Sequence, residues 1–348
     1  MSTLPKFALV GAGVIGKHHA RVMGDLADRL SLAAVADVDI DRASALTAGH
    51  AYPSLTAALA AEEIDVVVVC TPTGLHGEVA IEALAAGKHV IIEKPAEVTV
   101  ARTDEIIRAR QKAGTLVTVI SQHRFDPATE RTLDAIGQGE LGRITSGIAS
   151  IDWWRGQSYY DSGGWRGTWD LDGGGALMNQ GVHTVDLLIA ALGRPVEVFA
   201  YTGTLAHERI EVEDVATGVV RFESGALGVL HATTAAYPGL SARLQVHGDR
   251  GSAVIDNDEL AFFHATPLGA DAEERLMGGT RTISGGGSPT ASSNPGMLSD
   301  AHRRQYLNFL GALAGTEELR VDLETNRQAV AVITAAYESA RLGKPVTL

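Results

Sequence analysis

The sequence predicts an α/β protein of two domains, opening with a doubly wound parallel sheet. Three observations carry this. Strands and helices alternate from Lys6 to Ile120, the pattern of a parallel sheet covered on both faces. A glycine-rich turn, Gly11-Ala12-Gly13-Val14-Ile15-Gly16, stands between the first strand and the first helix. The chain has 348 residues, enough for two cores, and its rhythm changes after His123. The boundary is therefore set between a first domain, 1–122, and a second, 123–348.

The first strand is Lys6–Val10 and the first helix His18–Leu30. Gly11 suits a tight turn, Gly13 an approach of backbone to a pyrophosphate, and Gly16 close helix–strand packing. Free N–H groups and the helix dipole favour an anion there, and Val14 and Ile15 complete the turn. The second strand, Leu32–Ala36, ends at Asp37, about 20 residues beyond Gly16, where a ribose-binding carboxylate is expected. An acid repels a 2′-phosphate, so NAD is favoured over NADP, with Arg42 keeping NADP open. Asp37 also suits a helix N-cap, since Asp39, Asp41 and Arg42 open another helix. Ile64–Cys70 is a buried strand, broken by Thr71-Pro72-Thr73 and followed by a helix, Gly77–Ala86, just after His76; Thr71, Pro72 and His76 are expected at the cofactor. Lys88–Ile92 leads into Glu93-Lys94-Pro95, where a cis peptide before Pro95 would fix the direction of Lys94. A helix, Thr99–Ala113, and a strand, Thr115–Ile120, end the first domain. Gly11, Asp37, Thr71, Glu93, Lys94 and Gln122 all fall at C-terminal strand ends, where an open parallel sheet binds its ligand.

In the second domain a helix, Pro127–Gly137, precedes a strand, Arg143–Trp153. A loop then holds all four tryptophans, with Arg155, Tyr159, Tyr160, Trp165 and Arg166 among them. It reads either as a core or interface patch or as a wall on which a sugar stacks. Next comes Asp172–Leu188, DGGGALMNQGVHTVDLL, read as glycines opening one buried helix that carries Asn179, His183 and Asp186 on one face. Strands follow at Val196–Thr204, Asp214–Phe222, Ala226–Ala235, Ser241–His247 and Ser252–Asn257, several joined by hairpin turns. Gly278–Gly296 reads as a mobile surface loop. Helices Asp300–Ala314 and Thr325–Leu342 and a short strand, Pro345–Leu348, close the chain.

The net charge of −13, with no basic run, argues against nucleic acid and anionic membranes. No apolar stretch approaches a membrane span. The N-terminus lacks a signal-peptide pattern, and Cys70, the one cysteine, reads as a small buried hydrophobe. A cytoplasmic protein is expected. His18 and His19 are adjacent on a helix and point apart, so no metal is expected.

The chain resembles the Gfo/Idh/MocA family of oxidoreductases over essentially its whole length. The residues that carry the resemblance are Gly11–Gly16, Cys70-Thr71-Pro72 with His76, Glu93-Lys94-Pro95, and Gly173-Gly174-Gly175 through Asn179, His183 and Asp186. The resemblance implies a Rossmann domain followed by an α/β domain with an open, mostly antiparallel sheet. That sheet's outer face would form a homodimer or homotetramer. It also implies NAD(P)-dependent dehydrogenation of sugars, sugar derivatives or cyclitols. By position, Lys94 matches the lysine near the nicotinamide and the reacting hydroxyl, and His183 matches the general acid/base. Asn179 stands where many members have aspartate, so Lys94 and His183 must suffice. The NQG-x-H pattern is similar to that of dehydrogenases acting on nucleotide sugars or glycosides.

A secondary alcohol needs a hydride acceptor, the nicotinamide, and a proton acceptor, for which His183 is best suited near neutral pH. Lys94 would stabilise the developing alkoxide, with one hydroxyl shared by both side chains and the substrate lying between the nicotinamide and the 172–186 segment. His123, Arg124, Tyr160, Trp165, Arg166, Asn179 and Gln180 are expected to contact substrate or nicotinamide, Arg124 and Arg166 through a carboxylate or phosphate. Two rival readings remain: an enzyme such as a glycosidase that retains its NAD without net redox, and a non-catalytic NAD-binding regulator.

Overall fold

A computed structural model describes residues 4–47, 49–265 and 295–348. The described residues form two units. One takes those of Met1–Gln122, Thr168–Gly173 and Asn294–Val330; the other takes those of His123–Gly167, Gly174–Ser293 and Ala331–Leu348. The sequence reading placed all of 123–348 in a second domain. Thr168–Gly173 and two stretches of C-terminal helix group with the first unit instead.

The first unit holds β1 (Lys6–Val10), α1 (Val14–Gly24), β2 (Ser31–Ala36), α2 (Ile40–Ser44), β3 (Ala51–Tyr52), α3 (Leu55–Ala61), β4 (Val66–Val69), α4 (His76–Ala85), β5 (His89–Ile92), α5 (Val100–Ala113) and β6 (Val117–Val119). Its strands run in the order β3-β2-β1-β4-β5-β6, all parallel. The β-branched run of β4 shows why both faces are covered. Val67 and Val69 enter one core, with Ala83 and Leu84 of α4 and Ile106 of α5. Val66 and Val68 enter the other, with Val22 and Met23 of α1 and with Tyr306 and Phe309. α1 starts four residues earlier than the sequence suggested, directly after Gly13, and ends at Gly24. β3 and α3, which sequence reading placed nowhere, extend the edge through Val35↔Ala51 and Ala36↔Tyr52.

The second unit contains α6 (Pro127–Gly137), β7 (Ile144–Asp152), α7 (Gln157–Asp161), a π-helical turn at Ala176–Gln180, α8 (Val182–Leu192), β8 (Pro195–Gly203), β9 (Val215–Phe222), β10 (Leu227–Thr233), β11 (Ala242–Gly248), β12 (Gly251–Asp256) and β13 (Glu259–Ala265). Two helices close the chain, α9 (Pro295–Leu313) and α10 (Leu323–Leu342), before β14 (Val346–Thr347). Residues 278–294 of the expected surface loop lie outside the described residues; its last two residues open α9. The eight strands run β13-β12-β11-β7-β10-β9-β8-β14, antiparallel except for β7 with β10. β13 escaped sequence reading because its burial does not alternate.

Two glycines let α8 lie against this sheet. Gly147 of β7 and Gly228 of β10 are register partners. A Cβ at Gly147 would fall 2.7 Å from Leu188 Cδ1, and one at Gly228 3.1 Å from Leu188 Cδ2. The side chain of Leu188 thus fills a trough that any larger residue would close.

Glu213, unnoticed in the sequence, fixes the start of the π-turn. Its carboxylate accepts from the backbone N–H of Gly175 (2.9 Å) and Leu177 (2.7 Å) and from the Tyr337 hydroxyl (3.0 Å). Burial pushes its pKa up to about 7, against the lowering effect of those donors. Among the described residues, no helix is long and apolar enough to cross a membrane.

Two outcomes follow from this packing. Gly147→Val should lower unfolding free energy by about 2–4 kcal/mol, with part recovered by adding Leu188→Ala; denaturant titration that finds no loss would refute the trough. Glu213 binds its proton more tightly folded than unfolded, so its stabilising contribution is complete below about pH 4.5 and lost as pH rises through about 7. Relative to Glu213→Gln, the wild type should lose up to about 3 kcal/mol between pH 5 and pH 8; a pH-independent difference would contradict this.

Candidate active site

The first unit presents a dinucleotide cradle at the C-terminal ends of its strands. Gly11 has φ +98°, and a Cβ there would sit 2.5 Å from the Cys70 carbonyl oxygen. A Cβ at Gly16 would sit 1.9 Å from the Gly11 carbonyl oxygen, so the helix and the turn touch backbone to backbone. Gly13 is different: nothing lies within 4 Å of its added Cβ. It is the N-cap of α1 with no side-chain cap, leaving the first N–H groups to a ligand. Val14, beside it, is 82% exposed, while Ile15 packs against the core.

Asp37 is tied into the same turn. One carboxylate oxygen accepts from Ala12 N (2.6 Å), the other from Asp39 N (2.8 Å). A carboxylate has lone pairs left for a ribose hydroxyl. The helix N-cap is Asp39, not Asp37, and Asp39 also pairs with Arg42 at 2.9 Å. At the ends of β4 and β6, the Thr71 hydroxyl and the Gln122 side-chain amide oxygen are buried without a partner among the described residues. Such orphaned polar atoms, with the open N-terminus of α1, fit an NAD molecule. Pro72 lies half-buried beside Thr71 and caps the turn at Thr73–Leu75.

Two expected cofactor contacts are engaged elsewhere. The His76 ring is buried, its nitrogens 2.8 Å from the Pro95 carbonyl oxygen and 2.9 Å from that of Thr71, so it braces two strand-end loops. Glu93 accepts from His19 Nε2 (2.8 Å) and from Lys94 N (3.0 Å), while His19 Nδ1 accepts from the Tyr306 hydroxyl (2.7 Å). Burial opposes the charge on Glu93, yet the bonds from His19 and His302 hold its carboxyl well below the usual range. Burial lowers His19, which therefore stays neutral beside an ionised Glu93. The ligand atoms of His19, Glu93 and His302 lie within 4.8 Å of one another, a grouping the local sequence does not reveal. Lys94 is half-buried, and its peptide bond to Pro95 is cis.

In the second unit the expected single helix is two pieces. The π-turn meets α8 at Gly181, where a Cβ would lie 2.9 Å from the Leu177 carbonyl oxygen. Asn179 is on the turn, while His183 and Asp186 are on α8, so the three do not lie on one continuous α-helix. The glycines meet the chain itself: an added Cβ would strike Val98 at Gly173, the Tyr337 hydroxyl at Gly174, and the Glu213 carbonyl oxygen 1.7 Å away at Gly175.

His183 is half-buried, with the His123 ring 4.9 Å away at 83°. His123 Nδ1 lies 2.8 Å from Asp126 and 2.9 Å from Asp258. Burial works against a charge on His123, but the two carboxylates outweigh it and raise its pKa to about 10. Asp258 was missed because it comes from the β12–β13 turn, where Asn257 and Asp258 both take positive φ.

Arg124, expected to meet an anionic group on the substrate, is taken by Asp186 in a two-pronged pair of 2.6 and 2.7 Å. Tyr160, expected at the substrate, is in the core: its hydroxyl bonds Thr234 Oγ1 at 2.8 Å, and burial raises it to about 12. Arg166 lies over the rings of Tyr159 (4.3 Å) and Trp165 (4.6 Å). Gln180 donates to the Tyr159 hydroxyl (3.2 Å) and the Asn179 carbonyl oxygen (3.4 Å).

Comparison with known proteins agrees with this chemistry. Residues 5–121 match the family described as Oxidoreductase family, NAD-binding Rossmann fold, and residues 129–254 match the GFO/IDH/MocA C-terminal domain. The chain is 31% identical to myo-inositol 2-dehydrogenase of Thermotoga maritima over 72% of its own length and 75% of that protein. The WlbA dehydrogenase of Bordetella pertussis, solved with NADH and UDP-GlcNAcA, superposes with a TM-score of 0.86 at 32% identity, covering 99% of both chains. The WlbA dehydrogenase of Chromobacterium violaceum, solved with the same two ligands, gives 0.86 at 33% identity, covering 100% of this chain and 97% of the other. From its glycine turn to its C-terminal sheet, this chain belongs to the Gfo/Idh/MocA family and is an NAD-binding oxidoreductase.

Proposed function

We propose that the enzyme transfers hydride between a secondary hydroxyl of a carbohydrate-like substrate and NAD, with His183 as acid/base and Lys94 supporting the oxygen. Bound nicotinamide supplies the hydride acceptor. His183 takes the hydroxyl proton on a ring nitrogen, while the Lys94 ammonium stabilises the oxygen as negative charge grows on it. The observation that supports this best is the neighbouring His123. Asp126 and Asp258 keep that ring protonated, so His123 has no ring nitrogen free to take a proton and the role falls to His183, whose ring lies 4.9 Å away. Asn179 holds or orients hydroxyls without taking a proton. The two WlbA dehydrogenases make UDP-GlcNAcA the first substrate to test, followed by inositols, free sugars and methyl glycosides.

The open sheet supports a homo-oligomer, dimer or tetramer. Phe199, Val219, Val229 and Ile148 are register neighbours across β8, β9, β10 and β7, on the face opposite Gly147 and Leu188. Val219 is 52% and Val229 38% exposed in the single chain, an apolar row that a second copy would cover.

NADH formation at 340 nm tests the reaction. Lys94→Ala and His183→Ala should each lower kcat/KM by about 10²–10⁴-fold with NADH affinity nearly unchanged for His183→Ala; wild-type rates in both would refute the roles. Silence of the wild type with NAD still bound after purification would favour a retained cofactor. Val219→Glu with Val229→Glu should shift the mass measured by light scattering towards the monomer, and a wild-type monomer would sink the interface.

A further inference from the structure

In this acidic chain two arginines of the second unit stand without a carboxylate partner among the described residues. Arg155 lies 5.1 Å from the ring centroids of both Trp153 and Tyr159. Arg166 lies 4.3 Å from Tyr159 and 4.6 Å from Trp165. The order is a ladder of ring, guanidinium, ring, guanidinium, ring, all drawn from one stretch of 14 residues, 153–166.

Stacking engages the flat faces of a guanidinium, whereas its five N–H donors point outward in the plane. Those of Arg155 are barely used. One Nη2–H reaches Gln180 Oε1 at 3.3 Å, and among the described residues the buried Nε–H finds no acceptor. The indole N–H of Trp153, next in the ladder, is also buried and finds none among them. Arg166 makes no side-chain hydrogen bond within the described residues. A half-buried cation with idle donors is costly unless something anionic completes it. Nearby carboxylates do not: Asp152 bonds His231, and Asp161 pairs with Arg209. Gln180 ties the ladder to Asn179, four residues before His183, so the ladder adjoins the segment proposed above to meet the substrate.

We propose that Arg155 and Arg166 form an anion subsite that holds a negative group of the substrate, the carboxylate of a sugar acid or the diphosphate of a nucleotide sugar. This rests on the carbohydrate reading above and narrows its substrate class. Arg124 cannot serve, because Asp186 already neutralises it.

Binding, measured without turnover, separates this proposal from the reaction itself. UDP-GlcNAcA, UDP-GlcNAc, glucuronate and glucose are titrated calorimetrically into NADH-loaded wild type, Arg155→Gln, Arg166→Gln and Arg166→Lys, with thermal midpoints recorded for each. The glutamine variants should weaken UDP-GlcNAcA ten- to a hundred-fold, while Arg166→Lys restores part of the loss. If UDP-GlcNAc weakens equally, the subsite holds the diphosphate; if only the two acids weaken, it holds the carboxylate. Unchanged affinity for all anions in well-folded variants, an equal loss for glucose, or no anion binding by the wild type would overturn the proposal. Arginine-dependent binding without NADH production would keep the subsite and refute the dehydrogenase reading instead.

Discussion

One buried carboxylate organises the turn that carries Asn179 and leads into His183. Glu213 takes two backbone N–H groups, which a helical start otherwise leaves unsatisfied, and a tyrosine hydroxyl. Removing it would leave those donors buried and unmade, at about 1–3 kcal/mol each. Its carbonyl oxygen also packs so tightly on Gly175 that no side chain fits there. The glycine cluster is thus a consequence of chain meeting chain. The π-turn, the break at Gly181 and the start of α8 at Val182 follow in order, and they set where His183 stands.

The fold was legible because its signals are local. A β-branched run, a glycine turn between strand and helix, and an acid at the end of the second strand each declare themselves within a few residues. The residues proposed for the cofactor were equally local: Gly11, Asp37, Thr71 and Gln122 follow the C-terminal ends of parallel strands, and Gly13 and Gly16 open the first helix. What the sequence hid is which polar side chains are already engaged. Arg124 finds Asp186 62 positions away, and Tyr160 finds Thr234 74 away. His123 owes its charge partly to Asp258, on a hairpin turn that no motif marks. Such pairings depend on sheet register, which a motif does not record. The π-turn was equally invisible, since a wider turn leaves no periodicity in five residues.

Charge is distributed with purpose in this acidic protein. Glu93 is an anion buried for structure, sustained by His19 and His302. His123 is a cation held by two carboxylates, and Arg124 a cation cancelled by one. Against that background of satisfied ions, the Trp153–Trp165 ladder stacks two guanidinium groups that no carboxylate among the described residues neutralises.

The bond from Ala12 N to Asp37 carries a consequence for altering coenzyme choice. The carboxylate proposed to meet the ribose also anchors the peptide between the first two glycines of the turn. Replacing it with a neutral or basic residue, the obvious route to accepting a 2′-phosphate, would unfasten the amide next to the pyrophosphate at the same stroke. Selectivity and grip are therefore not independent traits here, and evolution or engineering towards the other coenzyme would need a second acceptor for that amide before the first could be given up.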